Sequence, residues 1–405
     1  MAQSTPSRGS ATRRRFLALI GASIGVLAIL AASRIGTLLP SAAVAATASL
    51  PAPSAAASSS VTEGPTPSPT PGPPTAPPPT PVPTPVLVPA PLTGLLVSPE
   101  AAAQHPIAVM IDDHPAARPQ SGFNAAAIVW QAPAEGGVPR YMFVFQDRLP
   151  SSVGPIRSSR QYYVEWAAEY RAMYVHHGGS PQALATLRAK GSGTWVWNAD
   201  GFRWEGRYVF RAHDRAAPHN VYSDGAHLRA LAKRLGADDG PVTAPWSFSP
   251  AVPTAVRPTG STIKVTYPYE TILYRYDAAT NRYLRYSNGA KEPQVDRADG
   301  KVVAPTNVVV LRMFFGPLTG SSAGHGRLEA TDVGKGVAWI ATNGRTVKGT
   351  WKKASVTAPT LLFGPDGEPM TLTAGQTFVQ VLPLSYGLEI TDGEPPWFPP
   401  RQAIG

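Results

Sequence analysis

The sequence predicts an α+β or α/β protein: an N-terminal mixed α/β domain, then a smaller mostly-β domain. An export or anchor helix and a disordered Pro-rich linker precede both. Three observations predict this. Up to about residue 240, short apolar runs of strand length alternate with helix signals. Beyond about residue 258, strict alternation and turn residues dominate and helix signals nearly vanish. Ahead of both lie an apolar run and a tract of Pro, Ala, Ser and Thr that has too few large apolar side chains to bury a core.

Residues 1–46 read as a signal peptide or membrane anchor. Arg13-Arg14-Arg15 precede Phe16 to Ser33, an apolar run about one bilayer thickness long. The junction TRRRFLAL resembles a twin-arginine export signal. Ala43-Val44-Ala45-Ala46 offers a small-residue cleavage site. The expected location is extracytoplasmic, with the membrane as a partner if the helix is retained. Residues 47–91 read as an extended linker; about 30 residues at ~3.1 Å each reach roughly 90 Å.

The first domain, 92–240, starts with Ser98-Pro99-Glu100, an N-cap followed by Pro at the first helical position. Ile107 to Ile111 is a buried strand, ending on Asp112-Asp113-His114. Ala127 to Gln131 and Arg140 to Gln146 are the next strands, separated by the turn Glu135-Gly136-Gly137. Gly154-Pro155 turns the chain, and Arg157-Ser158-Ser159-Arg160 leads into a helix from Gln161 to about Arg171. On that helix Tyr162, Trp166 and Tyr170 form one row, with Glu165 and Glu169 on an adjoining one. Ala172 to His176 is a strand. Ser180-Pro181 opens a helix to about Lys190, and Trp195 to Trp197 is a candidate strand. Residues 198–215 read as a long loop, and a helix near Asp224 carries Leu228, Leu231 and Leu235 on one face.

The second domain, 258–385, shows alternation at Ile263–Tyr267, Thr271–Tyr276 and Tyr283–Tyr286. Val308–Leu311 is a buried run, and Asn343-Gly344 marks a hairpin. Trp351, Leu361–Phe363 and Phe378–Leu382 continue the rhythm, and residues 386–405 read as a loose tail.

The composition removes several classes. Without cysteine there is no disulfide, thiolate metal site, Cys nucleophile or acylated Cys anchor. The net charge of +10 falls to +6 beyond residue 91, because five arginines and one glutamate lie before it. That mild excess suits carboxylate or acidic-polymer ligands, and nucleic acid is not expected. No phosphate-binding loop, zinc-protease motif, nucleophile elbow or dinucleotide fingerprint is present, and neither a cofactor nor a metal is expected.

What remains is a set of polar residues at strand ends and Gly turns, where α/β scaffolds place sites. The candidate pocket is Asp112, His114, Arg118, Glu135, Arg140, Arg157, Ser158, Arg160, His176, His219 and Asn220. Two guanidiniums at a helix start suit an anion; the competing reading is an N-cap serine with arginines paired to Glu135 or Asp147. Asp112, Asp113 and His114 could do acid–base work or hold a metal, and the competing reading is simple loop capping. His176 and His177 alternate across a strand end, so they do not readily share a ligand. No residue is assigned a catalytic role.

Five motifs in order, IAVMIDDHPAARPQSG, AEGGVPR, GPIRSSR, VHHGGSPQA and APHNVY, resemble those of the YerB-like family of bacterial envelope lipoproteins. The resemblance spans about residues 92–385. It implies an N-terminal α/β domain, a smaller β-rich C-terminal domain and an unknown function, with no established catalytic residues. The missing cysteine departs from the lipid-anchored pattern. The leading expectation is a binding module for an anionic or carbohydrate-like envelope ligand. The alternatives are an extracytoplasmic hydrolase using Asp112 or Glu135 as base, and a structural or partner-binding head.

Overall fold

The structure is a computed structural model that describes residues 64, 85–190, 195–320 and 323–393. The apolar run Phe16–Ser33, nearly all of the Pro-rich tract and the end of the chain therefore lie outside the described residues. Among the described residues no helix is long and apolar enough to cross a membrane.

The first segment supplies β1 (Ile107–Asp112), β2 (Ile128–Pro133), β3 (Pro139–Phe145), α1 (Gln161–Ala168), β4 (Met173–His176), α2 (Pro181–Lys190), β5 (Trp197–Asp200) and α3 (Gly225–Leu235). The second supplies β6 (Thr262–Thr266), β7 (Thr271–Asp277), β8 (Arg282–Ser287), β9 (Asn307–Met313), β10 (Gly334–Thr342), β11 (Arg345–Lys353), β12 (Leu361–Phe363), β13 (Thr377–Pro383) and β14 (Gly387–Thr391). Short pairs and single turns fill the connections. This is a mixed α/β part followed by a smaller, mostly-β part.

The two parts share one ten-stranded sheet, in the order β12-β11-β10-β9-β13-β2-β3-β1-β4-β5. The seam is a parallel pairing of β13 with β2, Thr377 opposite Ile128 through Gln380 opposite Gln131. A second sheet, β8-β7-β6-β14, is antiparallel throughout. Period two along β1 explains the layers. Ile107, Val109 and Ile111 face a core with α3 and the four-stranded sheet, through Leu228, Leu231, Ile263, Val265 and Tyr274. Ala108 and Met110 face the opposite core, with α1, through Tyr162, Tyr163 and Trp166.

Local chemistry sets the boundaries. Ser98 caps its short helix by accepting from Ala101 N, and Asp224 caps α3 by accepting from His227 N. Asn343 and Gly344 both take positive φ, 50° and 75°, between Thr342 and Arg345, which pair across the β10–β11 hairpin. That is the geometry for which an Asn-Gly turn is suited. A Cβ on Gly344 would also meet the Tyr276 ring at 2.3 Å.

Four expectations need correction. Val88–Pro89 pair with Leu96–Val97, so the linker gives way to ordered chain before residue 91. Residues 198–215 are not one loop: β5 runs to Asp200, which caps a one-turn helix, Gly201–Trp204. Only Ala199 of β5 is fully buried, so β5 carried no periodic signal. The 386–405 tail is ordered over Gly387–Thr391, which pairs with β6 because Leu388 and Ile390 pack on the core while Glu389 meets Lys264 at 2.9 Å. α1 stops at Ala168, and Arg171 turns left-handed with φ of 46°.

Glu169, just past α1, is buried rather than solvated. Its carboxylate lies 2.7 Å from Lys353 Nζ and accepts from Thr360 N and Oγ1 at 3.0 and 2.7 Å. Lys353 Nζ also donates to Val356 O and Ala358 O. Removing one partner of a buried, fully bonded pair leaves an uncompensated charge. Lys353→Ala is therefore expected to destabilise by about 3–5 kcal/mol. Lys264→Ala, at the exposed Lys264–Glu389 pair, is expected to cost less than about 1 kcal/mol. Urea denaturation midpoints of the two variants measure the contrast.

Candidate functional site

β1 ends at Asp112, and the alternation that splits its apolar residues also splits its acids. Asp112 and Asp113 are both nearly buried but serve different neighbourhoods. The chain at 155–157 runs beside the end of β1: Asp112 N donates to Pro155 O, and Arg157 N to Met110 O, each at 2.9 Å. This delivers Arg157 Nε to 2.9 Å from Asp112 Oδ2. The contact is ionic, because Nε is not aligned as a hydrogen-bond donor. The two terminal amino groups of Arg157 have no partner among the described residues.

His219 reaches the same carboxylate oxygen from the loop before residue 221, with Nδ1 2.7 Å from Oδ2. The His114 N–H donates to Oδ1 at 3.0 Å, and the His114 and His219 rings stack at 4.8 Å, 16° from parallel. Burial works to raise the Asp112 carboxyl. The Arg157 charge, the His114 N–H, Arg140 and His219 together outweigh it, so Asp112 sits below the ordinary carboxylate range.

Arg140 stands opposite Asp112 in the β1–β3 ladder. Its Nη1 donates to Ser158 O and Oγ at 3.1 and 3.0 Å, and its Nη2 lies 3.9 Å from Glu135 Oε2. Arg160 pairs with the same Glu135 oxygen, and Arg327 Nε approaches the other at 3.9 Å. Four guanidiniums thus face two carboxylates. Burial, then the neighbouring Arg160 charge, push Arg140 down to about 10. Burial opposes ionisation of Glu135, but its bond to Arg160 and the adjacent guanidinium charges prevail and lower it. The Nε atoms of Arg140 and Arg160 are buried without a hydrogen-bond partner. Side-chain exposures of 28% at Arg157, 19% at Glu135, 16% at His219 and 13% at Arg140 make this a strip open to solvent, not a closed cavity.

Three expected site residues point elsewhere. Arg118 turns inward, to Asp113 Oδ1 at 2.9 Å and Glu270 Oε1 at 2.8 Å. His176 is fully buried, with its ring nitrogens 2.8 Å from Gly178 O and Asn198 Oδ1. Asn220 accepts from Arg211 Nη1 at 3.0 Å. From the candidate set, only His219 and Arg118 border a hollow of about 570 Å³, shared with Asp214, Arg215 and Arg297. Sequence reasoning missed Glu270, Arg285 and Arg327, which come from the second segment with no motif around them. Among the described residues no three His, Asp or Glu side chains gather as a metal site.

Residues 92–238 match the family described as protein of unknown function (DUF3048) N-terminal domain, and residues 263–379 match its C-terminal domain. The chain belongs to this YerB-like family. "Putative lipoprotein YerB" of Bacillus subtilis (strain 168) is 29% identical over 311 residues, 75% of this chain and 89% of the relative. The crystal structure of the Bacillus subtilis YerB protein aligns with a TM-score of 0.65 at 26% identity. It covers 74% of this chain and 99% of that one. The seam between β13 and β2 therefore joins the two halves that define the YerB-like family.

Because Asp112 and Glu135 are held below the ordinary carboxylate range, the fold binds fewer protons there than the unfolded chain. Their contribution is complete above about pH 4–5 and is lost as pH falls through the lowered values. Asp113, pushed up by burial and by Glu270, works in the opposite sense. Comparing wild type with Asp112→Asn isolates Asp112. Urea-measured stability is expected to fall less steeply below pH 4 in Asp112→Asn than in wild type.

Proposed function

We propose that this YerB-like protein is an extracytoplasmic binding module for an anionic envelope polymer, held along the strip from Asp112 to Glu135. The observation that carries the reading is the clustering of Arg157, Arg140 and Arg160 around two carboxylates, Asp112 and Glu135, where burial first and the Arg160 charge second push Arg140 down to about 10. Crowded cations at low dielectric favour a bound anion that relieves them. The unpartnered amino groups of Arg157 supply donors in bidentate geometry. An open strip suits a chain-like ligand better than a small molecule sealed in a cavity.

The extracytoplasmic address is supported by the Arg13-Arg14 motif, the Phe16–Ser33 run and the lipoprotein name of the Bacillus relative. Without a cysteine to acylate in this sequence, the apolar run is the proposed membrane attachment if it is retained. The Pro-rich tract then acts as a spacer.

Isothermal titration with inorganic phosphate, succinate and a polyglycerol-phosphate chain, at low and high salt, tests this. Binding is expected to strengthen from monomer to polymer and to weaken with salt. Arg157→Ala is expected to weaken it about tenfold, in line with the ~1.5–3 kcal/mol of a hydrogen bond to a charged group. Absence of binding, or binding indifferent to Arg157→Ala, rejects the strip.

A further inference from the structure

We infer that Asp112 and His219 form a proton-transfer dyad, and that the strip hydrolyses an ester carried on its anionic ligand with water as nucleophile. The inference rests on the anion-site reading and adds a reaction to it.

Three histidines among the described residues sit against carboxylates: His177 on Glu205, His227 on Asp224 and His219 on Asp112. The carboxylates of the first two are about a third exposed, at 31% and 34%, whereas that of Asp112 is 5% exposed. Asp112 is also fixed by the His114 N–H and the Arg157 Nε. An ionised, immobile carboxylate on Nδ1 holds the proton there and leaves the lone pair on Nε2. His219 Nε2 has no hydrogen-bond partner among the described residues, and its ring borders the hollow shared with Arg215 and Arg297. The stacked His114 ring fixes the plane of the imidazole. Orientation, tautomer and access serve a general base, and among the described residues no Ser, Thr or Lys is hydrogen-bonded to Nε2 to act as a protein nucleophile.

The guanidinium of Arg157 lies on the same carboxylate oxygen as the imidazole, so the two side chains meet at one acid, and the inferred place of the ester carbonyl is between them. An ester carbonyl develops one negative oxygen on attack, which a single guanidinium matches. Water gives its proton to His219 Nε2 while its oxygen bonds to the carbonyl carbon, and the carbonyl oxygen takes the negative charge facing Arg157. The carbonyl re-forms as the bond to the alcohol oxygen breaks, and that oxygen takes the proton from His219. The products are a carboxylic acid, which ionises to solvent, and an alcohol. Asp112 is the positioning residue and stays ionised.

The test uses the full chain with mono(4-nitrophenyl) succinate, an anionic ester whose 4-nitrophenolate leaves unprotonated. Turnover above buffer is expected. His219→Gln is expected to lower kcat/KM about 100-fold or more. Asp112→Asn is expected to lower kcat about tenfold or more with KM within about threefold, a split that mere destabilisation does not produce. His227→Gln, at an exposed Asp–His pair whose described contacts are Asp224 and Phe210, is expected to leave turnover unchanged. Ethoxyformylation of His219 in the unmodified protein, mapped by mass spectrometry, is expected to remove activity in proportion, which requires no variant to fold. Wild-type protein that binds phosphate without turning over the ester overturns the dyad and leaves the anion site standing. Turnover unaffected by loss of His219 also overturns it. Turnover without phosphate binding removes the anion site instead and leaves the dyad.

Discussion

A buried charge network between the two halves of the chain holds the rest of the structure in register. Arg285, on β8, is fully buried and donates to Tyr141 Oη at 2.7 Å and Gln131 Oε1 at 3.2 Å. Gln131 in turn donates through Nε2 to Asp113 Oδ2 at 2.7 Å and Glu270 Oε2 at 3.0 Å. Glu270 also accepts from Ser287 Oγ, and Arg118 closes the network onto both acids. Taking ions out of water costs several kcal/mol each, so such a group persists only where geometry and hydrogen bonds compensate. Here β2, β3 and the loop after β1 supply one side and β8, with the turn between β6 and β7, the other. The second sheet has one position at which all these partners are met. Burial and the Glu270 charge push Asp113 up, while Glu270, opposed by its own burial, is drawn down by Arg285 and Arg118. The pair titrates as a unit.

This network is tied directly to the neighbouring strip. Asp113 is one residue from Asp112, and Gln120 bonds both Asp112 O and Asp113 Oδ1. Fixing Asp113 inward fixes Asp112 toward Arg157 and His219. The same residue pair thus divides the labour: one carboxylate locks the halves together, the other faces the arginines and histidines at the surface. α1 backs the strip from the opposite core, where Tyr162 and Tyr163 donate to Pro133 O and Arg140 O and Trp166 stacks on Trp130.

Much of the fold was legible because burial writes periodicity into sequence. β1, β2, β3 and β9 are continuous apolar runs, and each is buried on both faces of the large sheet. Caps and turns were legible because they depend on single residues: Ser98, Asp224 and Asn343-Gly344 act through their own side chains or φ angles. β5 and β14 were harder to read. Their burial is partial, and what holds them is pairing with a strand elsewhere in the chain, which leaves little mark on local composition.

The sequence by itself determined the strands that carry the polar residues and the helix start at Arg160. Each is a local property of side-chain size, charge and backbone freedom. It did not determine which polar residues meet. Asp112, Asp113 and His114 read as one cluster, yet alternation sends the two acids to different neighbours. Arg118 and Arg157 look equivalent in sequence, yet one pairs inward with Glu270 and the other keeps its amino groups free at the surface. Those choices belonged to the tertiary structure, because they are settled by partners far along the chain, Asp112 for Arg157, His219 for Asp112 and Glu270 for Arg118, whose desolvation is compensated in only one arrangement.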